Sequence, residues 1–271
     1  MTSEPGNVLV DVRDGVARVT LNRPDRRNPI SESAMVDDLV GALRRLSQDA
    51  NVRAVVLTGS GTAFSAGGDI FAMAENMERR RSEPLRTADY YRDGIQRISE
   101  AMEQLAVPSI AAVNGPAIGA GCDLACMCDI RLASDNAKFA ESFVRLGLIP
   151  GDGGAWFLQR VVGYARACEL TFTGDTIDAE TALSIGLVSA VYRHAELLDR
   201  ADELAQRIAQ NPPDAVRAAK RLIRFARHGS LADTLELSAN AQALAHTTAE
   251  HRDAIDASIA RLKARSGKSP S

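Results

Sequence analysis

The chain has 271 residues, 45% of them hydrophobic, which is enough for one large domain or for a domain with an appendage. Its formal net charge of -3 argues against a surface for nucleic acid or for an anionic membrane. No apolar run reaches the length of a membrane span, and the opening MTSEPGN lacks the basic and apolar regions of a signal peptide, so we expect a cytoplasmic protein.

The N-terminal residues predict a hairpin, a loop, a helix and a buried strand. Two β-branched runs, 8–12 and 16–21, flank an Asp-Gly turn. The basic loop NRPDRRNPIS follows, and Ser31 can cap a helix. Residues 54–58 are typical of a buried strand. The apolar positions that give the helix its period are Met35, Leu39, Leu43 and Leu46.

A strand–turn–helix unit is then predicted twice. The turns SAGGDI (65–70) and GAGCDL (119–124) share the pattern Ala-Gly-x-Asp-aliphatic, and each follows an apolar run and precedes a helix. Backbone N–H groups at a helix start have no intrahelical acceptor. Two such turns directed at one point would form an oxyanion hole. Two tight turns without a ligand are the alternative interpretation.

The rest of the chain predicts more strands and helices, then helices alone. The polar segment 78–94 is either a mobile excursion or a helical cover. Strands are predicted at 130–133 and 187–191, and helices around Trp156 and over 179–185. From about residue 195 the composition is helical. We therefore predict an α/β core of strand–turn–helix units over 1–195 and an all-helical segment over 196–271.

Several common sites are excluded by spacing. No glycine-rich stretch completes a dinucleotide-binding fingerprint, and neither a P-loop lysine nor H-E-x-x-H occurs. Cys122, Cys126 and Cys128 lack zinc-site spacing, so we expect buried thiols and no metal. Residues 63–67 nearly spell a serine nucleophile elbow, but its first glycine is absent and no histidine precedes His194.

Four segments, in this order, resemble the enoyl-CoA hydratase/isomerase (crotonase) superfamily over roughly residues 8–265: LNRPDRRNPIS, AVVLTGSGTAFSAGGDI, IAAVNGPAIGAGCDLACMCDIRLAS and LGLIPGDGG. The resemblance implies a crotonase-like (ClpP/crotonase) spiral of repeated ββα units. It implies an acyl-CoA thioester substrate, with no cofactor beyond the coenzyme A moiety of that substrate. It also implies a homotrimer or a dimer of trimers, assembled through the helices after 195.

The resemblance also implies the residues of the site. It makes the N–H groups of Ala66 and Ala120 the oxyanion donors, and it places Asp123 where hydratases carry their first catalytic glutamate. Phe143 replaces the second glutamate. Asp152 lies one residue after the position of a catalytic aspartate in ring-epoxide and dienoyl isomerases, so Asp123 and Asp152 are the predicted catalytic carboxylates. Asp123 could instead be a helix-start carboxylate, and Asp152 the N-cap of the Trp156 helix.

The remaining predictions concern substrate contacts and Glu141. Glu141 could substitute for the missing glutamate, but we expect it to be solvated or salt-bridged. Tyr90 and Tyr91 could line the acyl pocket or simply pack it shut. Besides Ala66 and Ala120, the predicted substrate-binding residues are Arg26, Gly67, Gly68, Asp69, Phe143 and Lys263. Asp69 is expected mainly to start a helix.

These features predict an enzyme that stabilises a thioester enolate during enoyl-CoA hydration or double-bond isomerisation. The absence of the second glutamate favours isomerisation, because water addition in the family uses two carboxylates. One alternative is a protein that binds coenzyme A thioesters without hydratase activity, and another is a serine hydrolase.

Overall fold

A computed structural model describes residues 6–266 of the chain. MTSEPGN, on which the expectation of no signal peptide rests, lies mostly outside these residues. The chain divides into two compact units, Met1–Gln206 and Arg207–Ser271. The predicted division after residue 195 lies within the first unit, just before a helix that begins at Leu197.

The strands are β1 (Val8–Arg13), β2 (Val16–Leu21), β3 (Ala54–Gly59), β4 (Ser109–Val113), β5 (Ala117–Ile118), β6 (Ile130–Ser134), β7 (Lys138–Ala140), β8 (Thr176–Asp178) and β9 (Ala190–Tyr192). The helices are α1 (Ser33–Gln48), α2 (Ile70–Glu75), α3 (Met77–Ser82), α4 (Pro84–Arg92), α5 (Gln96–Gln104), α6 (Ala120–Met127), α7 (Gly154–Val162), α8 (Tyr164–Thr173), α9 (Ala179–Ser184), α10 (Leu197–Ala209), α11 (Pro213–Ala226), α12 (Leu231–Ala245) and α13 (Ala249–Ser266).

The main sheet has six strands in the order β1-β2-β3-β4-β6-β9. The β1–β2 hairpin is antiparallel, and every other pair in the sheet is parallel. All side chains of β3 and β4 are buried, as expected for central parallel strands covered on both faces. Because β3 and β4 are parallel, the segments that follow them leave the same edge of the sheet.

A second sheet of three short strands, in the order β5-β7-β8, was not predicted. Its strands have two or three residues each, which is too short for an alternating pattern to be recognised. The predicted strand over 187–191 is also shorter and later, as β9. The segment 78–94 is a helical cover, formed by α3 and α4.

The prediction that Ser31 caps α1 is wrong. The N-cap residue of α1 is Glu32, which makes no side-chain cap. The Ser31 hydroxyl instead accepts a hydrogen bond from the Asp69 N–H at 3.2 Å. Ser31 therefore ties the loop before α1 to the start of α2.

The second unit contains α11, α12 and α13 and leaves large apolar side chains exposed. Ile223 on α11 is 69% exposed and Leu235 on α12 is 59% exposed. Within residues 6–266, none of the helices combines the length and the apolar character needed to cross a bilayer.

Asn28 links the basic loop after β2 to the segment after β3. Its side chain is fully buried, and Nδ2 donates to the carbonyl oxygens of Ser60 and Ala63, each at 2.9 Å. Its Oδ1 accepts from the Arg23 N–H at 2.8 Å. The backbone of Asn28 is left-handed, with φ of 56°, a conformation that asparagine tolerates. One side chain thus holds the backbone of two segments together by hydrogen bonds.

We predict that Asn28→Ala lowers the free energy of unfolding by about 2–4 kcal/mol, because buried carbonyl and N–H groups lose their partners. Urea unfolding at neutral pH measures this change. Asn22→Ala, which removes a half-buried side chain with a single bond to the Gly6 carbonyl oxygen, is the control and should cost less than about 1 kcal/mol. Equal losses for the two variants would contradict the prediction.

Candidate active site

The two repeated turns meet. The Ser65 N–H donates to the Pro116 carbonyl oxygen at 3.1 Å, and the Ile118 N–H donates to the Ser65 carbonyl oxygen at 3.0 Å, which forms a parallel bridge between Ser65 and Ala117. A Cβ at Gly67 would overlap the Ile118 carbonyl oxygen. The predicted convergence of the turns is therefore present, and glycine permits it.

The N–H groups that face the pocket are not the pair that was predicted. The Ala66 N–H donates to the Arg27 carbonyl oxygen at 2.8 Å, and the Gly67 N–H donates to the Ser65 hydroxyl at 3.0 Å. Neither is available to a ligand, which corrects the prediction that Ala66 is a donor and that Gly67 binds substrate. Gly68 lines the pocket, and its N–H has no acceptor within residues 6–266.

The second turn leaves the N–H of Ala120 free, and the role of Ala120 as a donor stays a prediction. Ala120 is the first residue of α6 and lines the same pocket as Gly68. Its N–H also has no acceptor in the described part of the chain. Gly68 and Ala120 thus provide two free backbone donors at the point where the turns meet.

The pocket has a volume of about 160 Å³. Tyr90 and Tyr91 line it as predicted, with their rings edge to face at 6.1 Å between centroids. Phe143 also lines it, and its ring lies about 3.5 Å from the place where a Cβ of Gly119 would be. The other apolar side chains along the wall are Ile70, Met73, Ile95, Ile118, Leu146 and Leu148.

Three carboxyl groups lie together beside this pocket. Asp123 is fully buried, Glu141 is 1% exposed and Asp152 is 2% exposed. None of their oxygens has a hydrogen-bond donor in good geometry within residues 6–266, and none forms an ion pair there. Asp123 contacts both of the other carboxyl groups. Carboxylates cannot donate to one another, so the contacts require at least one bound proton.

Burial and mutual repulsion keep protons on this cluster. Burial raises the pKa of Asp123 well above its usual range, and the charges of Asp152 and Glu141 add to the shift. Burial raises the pKa of Glu141 to about 7 and also raises the pKa of Asp152. For Asp152, the contact with Asp123 and the backbone N–H groups of Asp152 and Gly154 oppose the increase.

Asp152 is the member of the cluster that lines the pocket. It does not cap α7, because the N-cap residue is Gly153 and no side chain caps the helix. The side chains of α5 hold its turn, since Gln96 donates to the Gly151 carbonyl oxygen at 2.7 Å and the Ser99 hydroxyl donates to the Asp152 carbonyl oxygen. The N-cap interpretation of Asp152 is therefore wrong.

The placement of Glu141 also differs from expectation. Glu141 is neither solvated nor salt-bridged, because it lies in the interior against Asp123 and the Cys122 thiol. Asp123 lies in the first turn of α6, which fits the helix-start alternative, and the N-cap residue of that helix is Gly119. A Cβ at Gly154 would overlap the Asp123 carboxylate, so the glycine makes room for that group.

Asp69 has the structural position that was expected for it. Its carboxylate accepts from the N–H groups of Phe71 at 2.9 Å and Ala72 at 3.3 Å, which caps α2, and it pairs with Arg26. Arg26 also pairs with Glu32 at 2.5 Å. Asp69 and Glu32 line the pocket, so this ion-pair network lies along its wall.

Three other residues that the sequence analysis considered, Lys263, Ser65 and Cys122, are not among the residues that line the pocket. Lys263 lies on α13 of the second unit, and its contact with coenzyme A remains a prediction. Ser65 is fully buried and its hydroxyl donates to the Asn28 carbonyl oxygen at 2.7 Å, so it is not an exposed nucleophile. Cys122 and the nearby thiols are buried, and within residues 6–266 no group of His, Cys, Asp and Glu could hold a metal ion.

Sequence reasoning named Gly68 only as a substrate-binding residue and missed its N–H as an oxyanion donor, and it also missed Asn28 and the burial of Glu141. In the first turn two residues separate Ala66 from the N-cap Asp69, whereas in the second the helix begins at Ala120. The same letters thus place different N–H groups in the pocket. The aspartate of SAGGDI was the available signal. Because Asp69 is the N-cap of α2, the last free N–H before the cap belongs to Gly68.

Comparisons with a family model and with known proteins point to the same family. Residues 11–265 match the family model described as enoyl-CoA hydratase/isomerase. The short-chain-enoyl-CoA hydratase of Clostridium acetobutylicum is 37% identical over 265 residues, covering 96% of this chain and 97% of the relative. The 1,2-epoxyphenylacetyl-CoA isomerase of Escherichia coli K12 is 35% identical over 257 residues, covering 94% and 95%.

The fold has close structural relatives as well. A crystal structure of enoyl-CoA hydratase from Bacillus anthracis superposes with a TM-score of 0.87 at 34% identity, covering 94% of this chain and 96% of that one. The predicted crotonase-like α/β fold with a helical C-terminal part is therefore confirmed.

The carboxyl cluster predicts an unusual dependence of stability on pH. The pKa of Glu141 is about 7 in the folded protein against an ordinary value of 4.5, so the folded protein holds this proton more tightly than the unfolded chain. The stability that this proton contributes is complete below about pH 4.5 and is lost as the pH rises through about 7. Relative to the parent, Glu141→Gln should therefore gain about 3 kcal/mol in free energy of unfolding between about pH 4.5 and pH 8.

Urea unfolding of the parent and of Glu141→Gln at several pH values measures this difference. Glu78→Gln is the control, because Glu78 is exposed on α3, and its difference from the parent should change little with pH. A constant offset between parent and Glu141→Gln over this range would contradict the raised pKa.

Proposed function

Because this chain belongs to the enoyl-CoA hydratase/isomerase family, we propose that it moves a double bond within an enoyl-CoA thioester through an enolate. The observation that supports isomerisation is the charge along the pocket. Three carboxyl side chains line it, those of Glu32, Asp69 and Asp152. The first two pair with Arg26, and Asp152 has no cationic partner within residues 6–266. Asp152 is then the single base that faces the acyl group.

The thioester oxygen binds to the N–H groups of Gly68 and Ala120. Both donors are free and both face the pocket. Neither has to move to donate a hydrogen bond to the oxygen as negative charge develops on it. Donors fixed in this way stabilise the enolate more than they stabilise the neutral thioester. The positive end of α6, which starts at Ala120, adds to this stabilisation.

Asp152 transfers the proton. Its carboxylate takes a proton from one carbon of the acyl chain, and the electron pair of that C–H bond delocalises onto the thioester oxygen. The resulting carboxylic acid returns the proton to a carbon two bonds away, which completes the shift of the double bond and regenerates the carboxylate. One base suffices for this sequence, whereas hydration also needs a positioned water.

Phe143 supports isomerisation over hydration. Its ring lines the pocket and offers water no hydrogen bond, and the family resemblance assigns position 143 to the second carboxylate of hydratases. The Clostridium acetobutylicum relative is named a short-chain-enoyl-CoA hydratase, which makes hydration the second candidate. Binding of acyl-CoA without catalysis is the third, and the unpaired Asp152 argues against it.

Two further features belong to this proposal. Arg26 binds the coenzyme A moiety of the substrate, Lys263 contacts the coenzyme A moiety held by a neighbouring subunit, and no other cofactor takes part. The chain assembles as a homotrimer or as a dimer of trimers. The exposed apolar side chains of α11 and α12, such as Ile223 and Leu235, support an assembly surface in the second unit.

We predict that Asp152→Asn lowers the rate of proton exchange between the acyl chain and deuterated water by about 10²- to 10⁴-fold, because the amide cannot accept a proton. Mass spectrometry of crotonyl-CoA and 3-hexenoyl-CoA after incubation measures exchange and isomerisation, and absorbance follows hydration. Asp175→Asn, at an exposed ion pair with Arg145, is the control. Parental exchange in Asp152→Asn would rule out Asp152 as the base.

The oxyanion donor is tested by substitution at Gly68. Gly68→Pro removes the N–H, and we expect a drop in kcat of about 10²- to 10³-fold. Gly68→Ala keeps the N–H, and its Cβ would meet only the flexible end of Met73, so kcat should remain within about tenfold of the parent. Circular dichroism establishes that both variants fold. Equal kcat values for the two would exclude the Gly68 N–H as a donor.

A further inference from the structure

The carboxyl cluster contains more groups than the proposed reaction uses. Asp152 faces the pocket, and Asp123 lies behind it in contact with both Asp152 and Glu141. Glu141 does not line the pocket and contacts Asp123 and the Cys122 thiol. The three carboxyl groups therefore form a row in which Asp123 is the middle member and Glu141 is farthest from the substrate.

The row cannot carry three negative charges. Its six oxygens have no donor in good geometry, and no Lys or Arg within residues 6–266 pairs with them. Asp123 has a carboxylate on each side and the deepest burial, so it holds its proton most tightly. A protonated carboxyl group has one O–H, and it can donate to only one neighbour at a time. The Asp123 hydroxyl must therefore choose between Asp152 and Glu141.

We propose, on the basis of the proposed function, that Glu141 is a positioning residue. It accepts a hydrogen bond from the Asp123 hydroxyl when Asp152 takes a proton from the acyl chain. Before the transfer, the hydroxyl donates to the charged Asp152 carboxylate. After the transfer, Asp152 is a neutral acid, and the Glu141 carboxylate is the stronger acceptor. The hydroxyl turns to Glu141, and it turns back when Asp152 returns the proton.

In this exchange of hydrogen-bond partners, atoms, protons and electrons balance without any further reactant. The C–H bond of the substrate breaks, the O–H bond of Asp152 forms, and the electron pair passes to the thioester oxygen. Asp123 keeps its own proton throughout and changes only the oxygen to which it donates. Glu141 thus lowers the cost of protonating Asp152 by offering the hydroxyl a charged acceptor in place of the one that is lost.

The arrangement predicts that the reaction depends on the charge of Glu141. The titratable groups that face Glu141 are Asp123 and Cys122 on α6, with Asp152 beyond them. The Cys122 thiol is neutral, because its hydrogen bond with the Cys126 thiol and burial raise its pKa well above the usual value. With the pKa of Glu141 at about 7, kcat should rise as the pH increases through this value.

The test is the pH profile of double-bond isomerisation by the full chain. For Glu141→Gln we expect kcat to fall by about 10- to 100-fold above about pH 8, which corresponds to one charge-assisted hydrogen bond, and the rise near pH 7 to disappear. KM should stay within about twofold, because Glu141 does not line the pocket. Glu141→Asp should restore the rise, and Cys122→Ala should leave it in place. If Glu141 had a purely structural role, the rise near pH 7 would remain in Glu141→Gln, and Glu141→Asp would have nothing to restore.

The outcomes separate this inference from the proposed function. A folded Glu141→Gln variant with the parental kcat and pH profile overturns the inference, even if Asp152→Asn is inactive. Parental exchange in Asp152→Asn overturns the proposed function itself. If Glu141→Gln does not fold, infrared titration of the parent decides. The inference requires one buried carboxylic acid that remains protonated and another that ionises near pH 7, and their absence overturns it.

Discussion

The contact between the two turns is the constraint on which the rest of the site depends. Backbone meets backbone at the Ser65–Ala117 bridge, and the glycine at 67 leaves no side chain between them. Any separation of the turns would move the free N–H groups of Gly68 and Ala120 apart. Asn28 supports this contact from behind, because its buried amide binds the carbonyl oxygens of the segment that leads into the first turn.

The same contact also sets where the acids lie. It fixes the first residue of α6, and Asp123 is one turn further along that helix, with its carboxylate against Gly154, the first residue of α7. The donor at Ala120 and the carboxyl group of Asp123 therefore belong to one rigid element. In the proposed reaction, the donor at Ala120 and the acid behind the base Asp152 therefore keep a fixed spacing along α6.

Part of this arrangement could be predicted from the sequence, and the limits have physical reasons. The repeated Ala-Gly-x-Asp pattern predicted the converging turns, but letters do not specify which N–H a turn leaves free, so Ala66 was named in place of Gly68. The short strands β5, β7 and β8 have no readable period. Glu141 was expected to be solvated or salt-bridged, because its contacts with Asp123 and Cys122 on α6 are not visible in local sequence.

The space beside Gly154 has a consequence for the evolution of the chain. A Cβ at that position would overlap the Asp123 carboxylate, so the two positions share one volume. A sequence can place an acid at 123 or a side chain at 154, and the combination of both is sterically costly. The effect of a substitution at either position therefore depends on the residue at the other. Such epistasis makes paired replacements the accessible route by which this scaffold can exchange one set of acids for another.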